Sequence, residues 1–387
     1  MTEILQCKLK TMTKMSNLPR DLAEEVLSKV PLTSLRKVRS TCKEWKTLSK
    51  RRSFAKKHLG QASVGAASHK VVMMMDLRIY LMSINLNNKN DESCIKHEGK
   101  LISGSDEVDI SRVFHCDGLL LFIPKGSTCV VVCNPYSGQT RFIESTFAFR
   151  NWWNYSYALG YEKSSSRKHK VLRFITVTDF VECKIYDLSS DSWRFLDPPG
   201  GWRVGHYDRG LSLKGNTYWF ANKKRSDKSD GDRSFLVCFD FTRERFGPPL
   251  PLPFEPFDEE TVSLSSVREE QLAVLFQRWD SLELEIWVTT KIEPESVTWN
   301  TKVFLQVNMS LQFQFQFLLT AASFFIDEEK KVAVVFDKNK ERSLVNRNVA
   351  YIIGVDESLR EADLGDSNDK NCYPLACSYV PSLAKLT

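Results

Sequence analysis

Leu22, Val26, Leu27 and Val30 fall on one side of a 3.6-residue period. They predict a short amphipathic helix in "NLPRDLAEEVLSKVP", residues 17–31. Asn17 is a candidate cap, and Pro19 suits the first turn, where its missing N–H costs no hydrogen bond. Asp21, Glu24 and Glu25 stand in the early turns, where the macrodipole favours negative charge. Pro31 disfavours helical geometry at Val30 and closes the segment. A second helix is predicted from Leu32, Leu35, Val38 and Cys42, at spacings of three, three and four. A third begins at "TCKE", where Thr41 and Glu44 have capping-box spacing. It runs through Trp45 and Leu48 toward Phe54 and Leu59. A unit of roughly 40 residues is near the lower limit for a lone domain. Its apolar stripe is wide, and it has no disulfide framework or metal motif. It is therefore expected to complete its core against another protein.

"GQASVGAASH", residues 60–69, has the composition of a linker. Beyond it the pattern changes period. Runs such as "GLLLFIP", "CVVVCNP", "VLRFITV", "NTYWFA" and "KVAVVFD" are short, rich in β-branched and aromatic types, and bounded by turn residues. "VVMMMDLRIYLMSINL" reads as strand, with "MMM" as core filler. "LQFQFQF", 311–317, reads as a strand of strict period two. "FLLTAASFFI", 317–326, reads as a turn between buried strands. It is far short of the roughly 18 apolar residues a membrane helix needs.

The strand-rich part repeats itself. "CNPYSGQTRFI", "YDLSSDSWRFL" and "FDFTRERFGPP" each carry a strand ending, an Asn or Asp, a polar turn and a resumed strand. The anchors Asn134, Asp187 and Asp240 are 53 residues apart. Six residues past each anchor stand Thr140, Trp193 and Phe246, and a blurred fourth copy ends at Trp299. A period near 50 with about four strands per unit predicts a β-propeller of about six blades. Ring closure is expected from strands near 71–86 pairing with "CYPLACSYV", 372–380.

Composition adds three points. A hydrophobic share of 42% and a charged share of 26% exclude disorder as the main state. The N-terminus shows no secretory signal, so the ten cysteines are expected to be reduced thiols, and the setting cytoplasmic, nuclear or both. Cys129 and Cys133 share a strand face and read as packed apolar groups, as do Cys372 and Cys377. The net charge of +6 is uneven: residues 1–59 hold 15 Lys or Arg and 5 Asp or Glu. A basic front on a slightly acidic body indicates two modules. Lys43, Lys46, Lys50, Arg51, Arg52, Lys56 and Lys57 read as a solvated face. No stacking aromatics are interleaved, which disfavours nucleic acid as a partner.

No nucleophile elbow, phosphate loop, dinucleotide fingerprint or His-Glu-x-x-His motif occurs, so neither a cofactor nor a catalytic residue is assigned. Two stretches have the aromatic-plus-Arg composition of contact surfaces. They are "RNWWNYSY" (Arg150, Trp152, Trp153, Tyr155) and "GWRVGHYDRG" (Trp202, His206, Tyr207); blade packing explains the same residues. A propeller enzyme or a sugar- or ligand-binding propeller is the alternative reading. Close carboxylates or a metal cluster at the axis would favour it.

"LPRDLAEEVLSKVPLTSLRKVRSTCKEWKTLSKRRSFAKKHL" resembles an F-box, in the frame Leu-Pro-x-Asp-Leu, Val-Pro-x-x-Ser-Leu, Cys-Lys-x-Trp. Where that family often has Asp-Pro, this chain has Arg51 and Arg52. "CDGLLLF", "NPYSGQTRFI", "YALGYE", "YDLSSDSWRFLD", "LKGNTYWFA", "EIWVTTKIEP" and "CYPLACSYVPSL" resemble the F-box-associated interaction domain of a large plant family. The resemblance implies a tail over 1–15, a three-helix F-box over 16–59, a linker over 60–70 and a kelch-like, all-β propeller over 71–387. It implies a substrate receptor of an SCF-type cullin–RING ubiquitin ligase, docked on a Skp-type adaptor and holding an unidentified protein. The positions it carries over to adaptor binding are Leu18, Pro19, Leu22, Val26, Leu27, Val30, Pro31, Leu32, Leu35, Val38, Cys42 and Trp45. Some of them would meet the adaptor and some would hold the helices together.

Overall fold

In a computed structural model, the structure describes residues 19–58, 68–87, 94–101, 108–145, 155–177, 180–205, 208–223, 234–257, 260–310, 315–317, 323–339, 346–369 and 372–386, apart from single positions at 52, 56 and 199.

Three helices lead: α1 (Arg20–Ser28), α2 (Leu32–Thr41) and α3 (Lys43–Leu48). Pro19 is the residue before α1 rather than part of its first turn, with an extended ψ of 141°. Asn17 and Leu18 lie outside the described residues. Pro31 stands in the same way before α2. The expected capping box is absent. Thr41 ends α2, and its hydroxyl donates back to the Val38 carbonyl at 2.7 Å, a local bond that competes with capping. Extended Cys42 separates α2 from α3 instead.

Six antiparallel sheets follow, arranged as the blades of a propeller. Blade one holds β1 (Ser68–Met75), β2 (Arg78–Asn85) and β3 (Ile95–Lys100). Blade two holds β4 (Ile110–Cys116), β5 (Leu119–Pro124), β6 (Cys129–Asn134) and β7 (Gln139–Glu144). Blade three holds β8 (Ser156–Tyr161), β9 (His169–Val177), β10 (Phe180–Asp187) and β11 (Ser192–Phe195). Blade four holds β12 (Trp202–Arg203), β13 (Leu211–Leu213), β14 (Asn216–Lys223), β15 (Ser234–Asp240) and β16 (Arg245–Phe246). Blade five holds β17 (Thr261–Val267), β18 (Gln271–Gln277), β19 (Glu283–Glu293), β20 (Ser296–Trp299) and β21 (Leu305–Asn308). Blade six holds β22 (Ser323–Asp327), β23 (Val332–Lys338), β24 (Arg347–Gly354) and β25 (Leu359–Asp366). The last strand, β26 (Leu375–Ser378), returns to blade one. It pairs with β1 in the register Val72↔Cys377 and Met73↔Ala376, so the two ends of the propeller close the ring as the sequence suggests.

The 53-residue repeat has a physical cause. Asn134, Asp187 and Asp240 each end the third strand of a blade and accept backbone N–H bonds from the turn that follows. The donors are Tyr136 at 2.8 Å, Ser189 at 2.7 Å and Thr242 at 2.8 Å. The side chain therefore makes the turn into the outer strand. Residues six further on pair back across it: Cys133↔Thr140, Tyr186↔Trp193 and Phe239↔Phe246. The fourth copy is blurred because β19 carries a bulge, and Trp299 pairs with Thr289.

Two strand readings change. "VVMMMDLRIYLMSINL" is a hairpin, not one strand. It turns at Asp76 and Leu77, whose φ values of 46° and 62° suit a tight two-residue turn. Met73, Met74 and Met75 are buried as expected. The hairpin extends back to Ser68↔Asn85, so the strand begins inside the stretch read as linker. In "LQFQFQF" the described residues 315–317 are not strand. Side chains serve this backbone instead of a ladder: Phe317 N–H donates to Gln277 at 2.8 Å, and Thr261 donates to the Phe317 carbonyl at 2.8 Å. Its period two survives as packing, with Phe315 and Phe317 both against Tyr351.

Among the described residues, six apolar clusters each join two neighbouring blades. The core is thus a ring of blade-to-blade interfaces. At the "CDGLLLF" hairpin the chain also comes close to its own end. Gly118 has φ +74°, and a Cβ there would lie 2.6 Å from the backbone nitrogen of Ser382.

Candidate functional site

The helical module has an inner and an outer side. Ala23, Leu27, Leu35, Leu48, Phe54 and Ala55 form its core. Leu27 and Leu35 are 2% and 0% exposed, so these two hold the helices together and present nothing to a partner. Val30, Leu32, Val38 and Trp45 are half-buried and pack against this core. Cys42 is half-buried, while Pro19 and Pro31 are exposed. Leu22 and Val26, one helical turn apart on α1, are 50% and 43% exposed. They form an apolar ridge on the surface of a short helix.

The module does not wait for another chain to complete its core. Tyr136, from the turn between β6 and β7, is 1% exposed and belongs to the helical cluster. Arg39 of α2 donates through Nη1 to the Tyr136 carbonyl and lies 5.6 Å from its ring centroid. His58 stands edge-on to Tyr136 at 5.6 Å and bonds the Val30 carbonyl at 2.8 Å. Thr33 donates to the Glu98 carbonyl of β3 at 2.8 Å. Burial pushes the Tyr136 phenol up to about 12 and holds the His58 imidazole below its usual value. The expectation of a core completed by a foreign protein is thus met in part by the protein's own propeller. "NPYSG" carried the tyrosine in view, but nothing in its spacing pointed to the helices.

Sequential blade strands are antiparallel, so the turns after the first and third strands share one face of the propeller. Tyr136 sits in such a turn, which puts the helices on that face. The connections between blades emerge on the other.

The aromatic stretches resolve differently. Arg150, Trp152, Trp153, His206 and Tyr207 lie outside the described residues. Tyr155 is fully buried under the Arg173 guanidinium, which is 4.7 Å from its ring centroid. Trp202 is 6% exposed and packs edge-on against Phe246 at 5.0 Å. Both are blade-packing residues rather than contact residues, since burial leaves them nothing to offer a partner. Lys43, Lys46, Lys50, Arg51 and Lys57 are exposed, as a solvated face requires. Cys129 and Cys133 share the half-buried face of β6. Among the described residues no cluster of His, Cys, Asp or Glu could hold a metal ion.

Sequence reasoning missed the axis. The inner edge of β14 is covered by β12 at one end and β13 at the other. Asp208 and Arg209, just before β13, line a cavity of about 100 Å³ among the inner strands. Val113, His115, Ser265 and Ser378 also line it. Burial pushes the His115 imidazole down to about 4 and the Asp208 carboxyl up to about 6. Asp208 is the one carboxylate among the described lining residues.

A three-helix module seated on a closed six-bladed propeller defines the class of protein. The comparisons place it within that class. The model for the F-box domain matches residues 15–57, and that for the F-box associated beta propeller domain matches residues 70–386. The Arabidopsis thaliana F-box protein At3g19470 is 58% identical over 388 residues, covering 96% of this chain and 100% of its own. The F-box/kelch-repeat protein At3g16740 of the same plant is 50% identical over 402 residues, covering 97% and 100%. Among solved structures, TolB from Acinetobacter baumannii covers 84% of this chain and 72% of its own, with 11% identity and a TM-score of 0.45. The chain belongs to the F-box proteins that carry an F-box associated beta propeller domain.

Proposed function

We propose that this protein is a substrate receptor of an SCF-type ubiquitin ligase. The F-box docks on a Skp-type adaptor, and the propeller holds a target protein. The observation that carries the reading is the Leu22–Val26 ridge. It is the exposed apolar side of an F-box helix whose other side is already buried. A helical apolar face is read by a partner groove. Leu18, Pro19 and Pro31 would extend that contact, with the half-buried Val30, Leu32, Val38, Cys42 and Trp45 behind it.

The role is positional and not catalytic. The receptor holds an acceptor lysine near ubiquitin activated on another subunit, which raises the effective concentration of the two reactants. The seating by Tyr136 and Arg39 supports this, because a fixed angle between plug and recognition head fixes where the target lies. The blade connections on the face away from the helices would supply specificity.

Proximity labelling tests the reading. Wild type and a Leu18→Ala, Pro19→Ala variant are compared in cells with degradation blocked. Adaptor and cullin are expected to be labelled by wild type alone, while target proteins are labelled by both. Equal labelling of the adaptor by the two forms contradicts the docking, and an unchanged abundance of every shared target when degradation is released contradicts the receptor role.

A further inference from the structure

Blade two departs from its neighbours at the residue that anchors the repeat. Asn134 stands where blades three and four have Asp187 and Asp240. The turn alone does not require the difference. A carboxylate serves in the other two blades, where Asp187 accepts the Ser189 N–H at 2.7 Å and Asp240 accepts the Thr242 N–H at 2.8 Å. Asn134 does the same work through Oδ1, which accepts the N–H groups of Tyr136 at 2.8 Å and Ser137 at 3.1 Å. What an amide adds is a donor. Asn134 Nδ2 donates to the carbonyls of Ser382 at 3.1 Å and Ala384 at 2.8 Å. The residue is fully buried, so both of these bonds lie out of reach of solvent.

Residues 379–386 follow β26 without regular structure, yet they are tied down along their length. The Tyr379 N–H bonds the Lys70 carbonyl at 3.0 Å, and the Ser382 hydroxyl donates to the Asp117 carbonyl. Ala384 and Leu386 pack on the apolar cluster between blades two and three. Asp117 and Asn134 belong to turns after the first and third strands of blade two. The segment therefore crosses the propeller face that carries the helices. It is linked to them through Asn134, whose turn sends Tyr136 into the helical core. It is also linked through Tyr379, which shares a cluster with Leu32 at the start of α2.

We propose that residues 379–386 are a strap that holds the helical module at a fixed setting on the propeller, with Asn134 as the positioning residue that joins the two. The Oδ1 side of its amide builds the seat of Tyr136, and the Nδ2 side holds the strap. Loosening the strap then loosens the seat. The joint holds whatever the helices bind. Its use, a constant angle between plug and recognition head, rests on the receptor reading above.

Hydrogen exchange of the full chain, followed peptide by peptide, tests the joint. Asn134→Asp keeps the acceptor that Asp187 and Asp240 show to be sufficient for the turn. It loses both donors and sets a charge against two carbonyl oxygens. Exchange in 134–138 and in α1 to α3 should rise about tenfold or more, while blades five and six exchange as in wild type. Leu386→Asp disturbs the strap where it packs on blades two and three, and it should raise exchange in the same helices. Asp187→Asn, the reverse change in blade three, should leave the helices as they are. Helix exchange equal to wild type in Asn134→Asp overturns the proposal, as does a rise spread evenly over blades five and six. So does unchanged helix exchange in Leu386→Asp. The measurement uses no adaptor, so its outcome is independent of the docking reading.

Discussion

Arg39 and Tyr136 meet twice: the guanidinium donates to the tyrosine carbonyl, and its carbon lies 5.6 Å from the centre of the ring. One residue belongs to the second helix and the other to a propeller turn. The ring is sealed inside the helical core, yet its hydroxyl has no hydrogen-bond partner among the described residues. These facts separate what the side chain does by volume from what it does by polarity. Tyr136→Ala should destabilise the protein by about 3–5 kcal/mol, the range for removing a large buried ring. Tyr136→Phe should be neutral or slightly stabilising, because it deletes a buried hydroxyl that is unsatisfied. Chemical denaturation measures both. Hydrogen exchange in α1 to α3 should rise in the alanine variant alone.

Ring closure by β26 should be a main source of stability. Odd-numbered residues of β26 face β1, as the Tyr379 N–H to Lys70 carbonyl bond of 3.0 Å continues just beyond it. Ala376 instead turns its N–H to the Ser323 hydroxyl at 2.8 Å. Cys377→Pro removes a ladder donor and should cost about 3 kcal/mol or more. Cys377→Ala should cost much less. Thermal unfolding of the two variants side by side checks the difference.

His115 gives a pH dependence of known sign. Its Nε2 accepts the Gly118 N–H at 3.1 Å, so the ring is held neutral. Burial depresses its pKa to about 4, against about 6.5 in an unfolded chain, while the nearby Asp117 charge acts the other way. The unfolded state therefore takes up a proton first as pH falls. The stability linked to His115 is complete above about pH 6.5 and is lost progressively down to about pH 4. His115→Gln, which keeps an acceptor and does not titrate, should flatten the slope of stability against pH in that window. Equal slopes would remove His115 from the account.

The outer rim is stitched by one arginine from each of three successive blades. Arg141 reaches Asp191 at 2.9 Å, Arg194 reaches Glu244, and Arg245 reaches Glu295 at 3.1 Å. In each case an outer strand contacts the next blade's turn. Their worth should differ with burial. Arg141 is a quarter exposed and also donates to the Leu188 carbonyl, so Arg141→Ala should cost about 1–2 kcal/mol. Arg245 and Glu295 are both more than half exposed, and Arg245→Ala should cost under about 0.5 kcal/mol. Denaturation in low and high salt distinguishes them.

What could be read in advance was whatever is local or periodic. Asn134, Asp187 and Asp240 were visible because a turn needs its Asx residue at a fixed offset in every blade. Ring closure was visible because a strand-like end had to pair with something. Tyr155 and Trp202 stayed ambiguous because an aromatic side chain has the same composition signal in a core as at a contact. Leu22 and Leu27 share a helical stripe in sequence, and only packing shows that one is 50% exposed and the other 2%. Tyr136 and Arg209 were not legible at all. Each owes its place to a meeting of segments far apart in the chain.

The Leu22–Val26 ridge carries the central claim, and one affinity tests it. The dissociation constant of the full chain for a purified Skp-type adaptor is measured for wild type and for Leu22→Asp, Val26→Asp. Two charges on a desolvated apolar contact should weaken binding about a hundredfold or more. The melting temperature should stay within about 2 °C, since both positions are exposed. Equal affinity of the two forms for the adaptor, with both folded, would contradict the account.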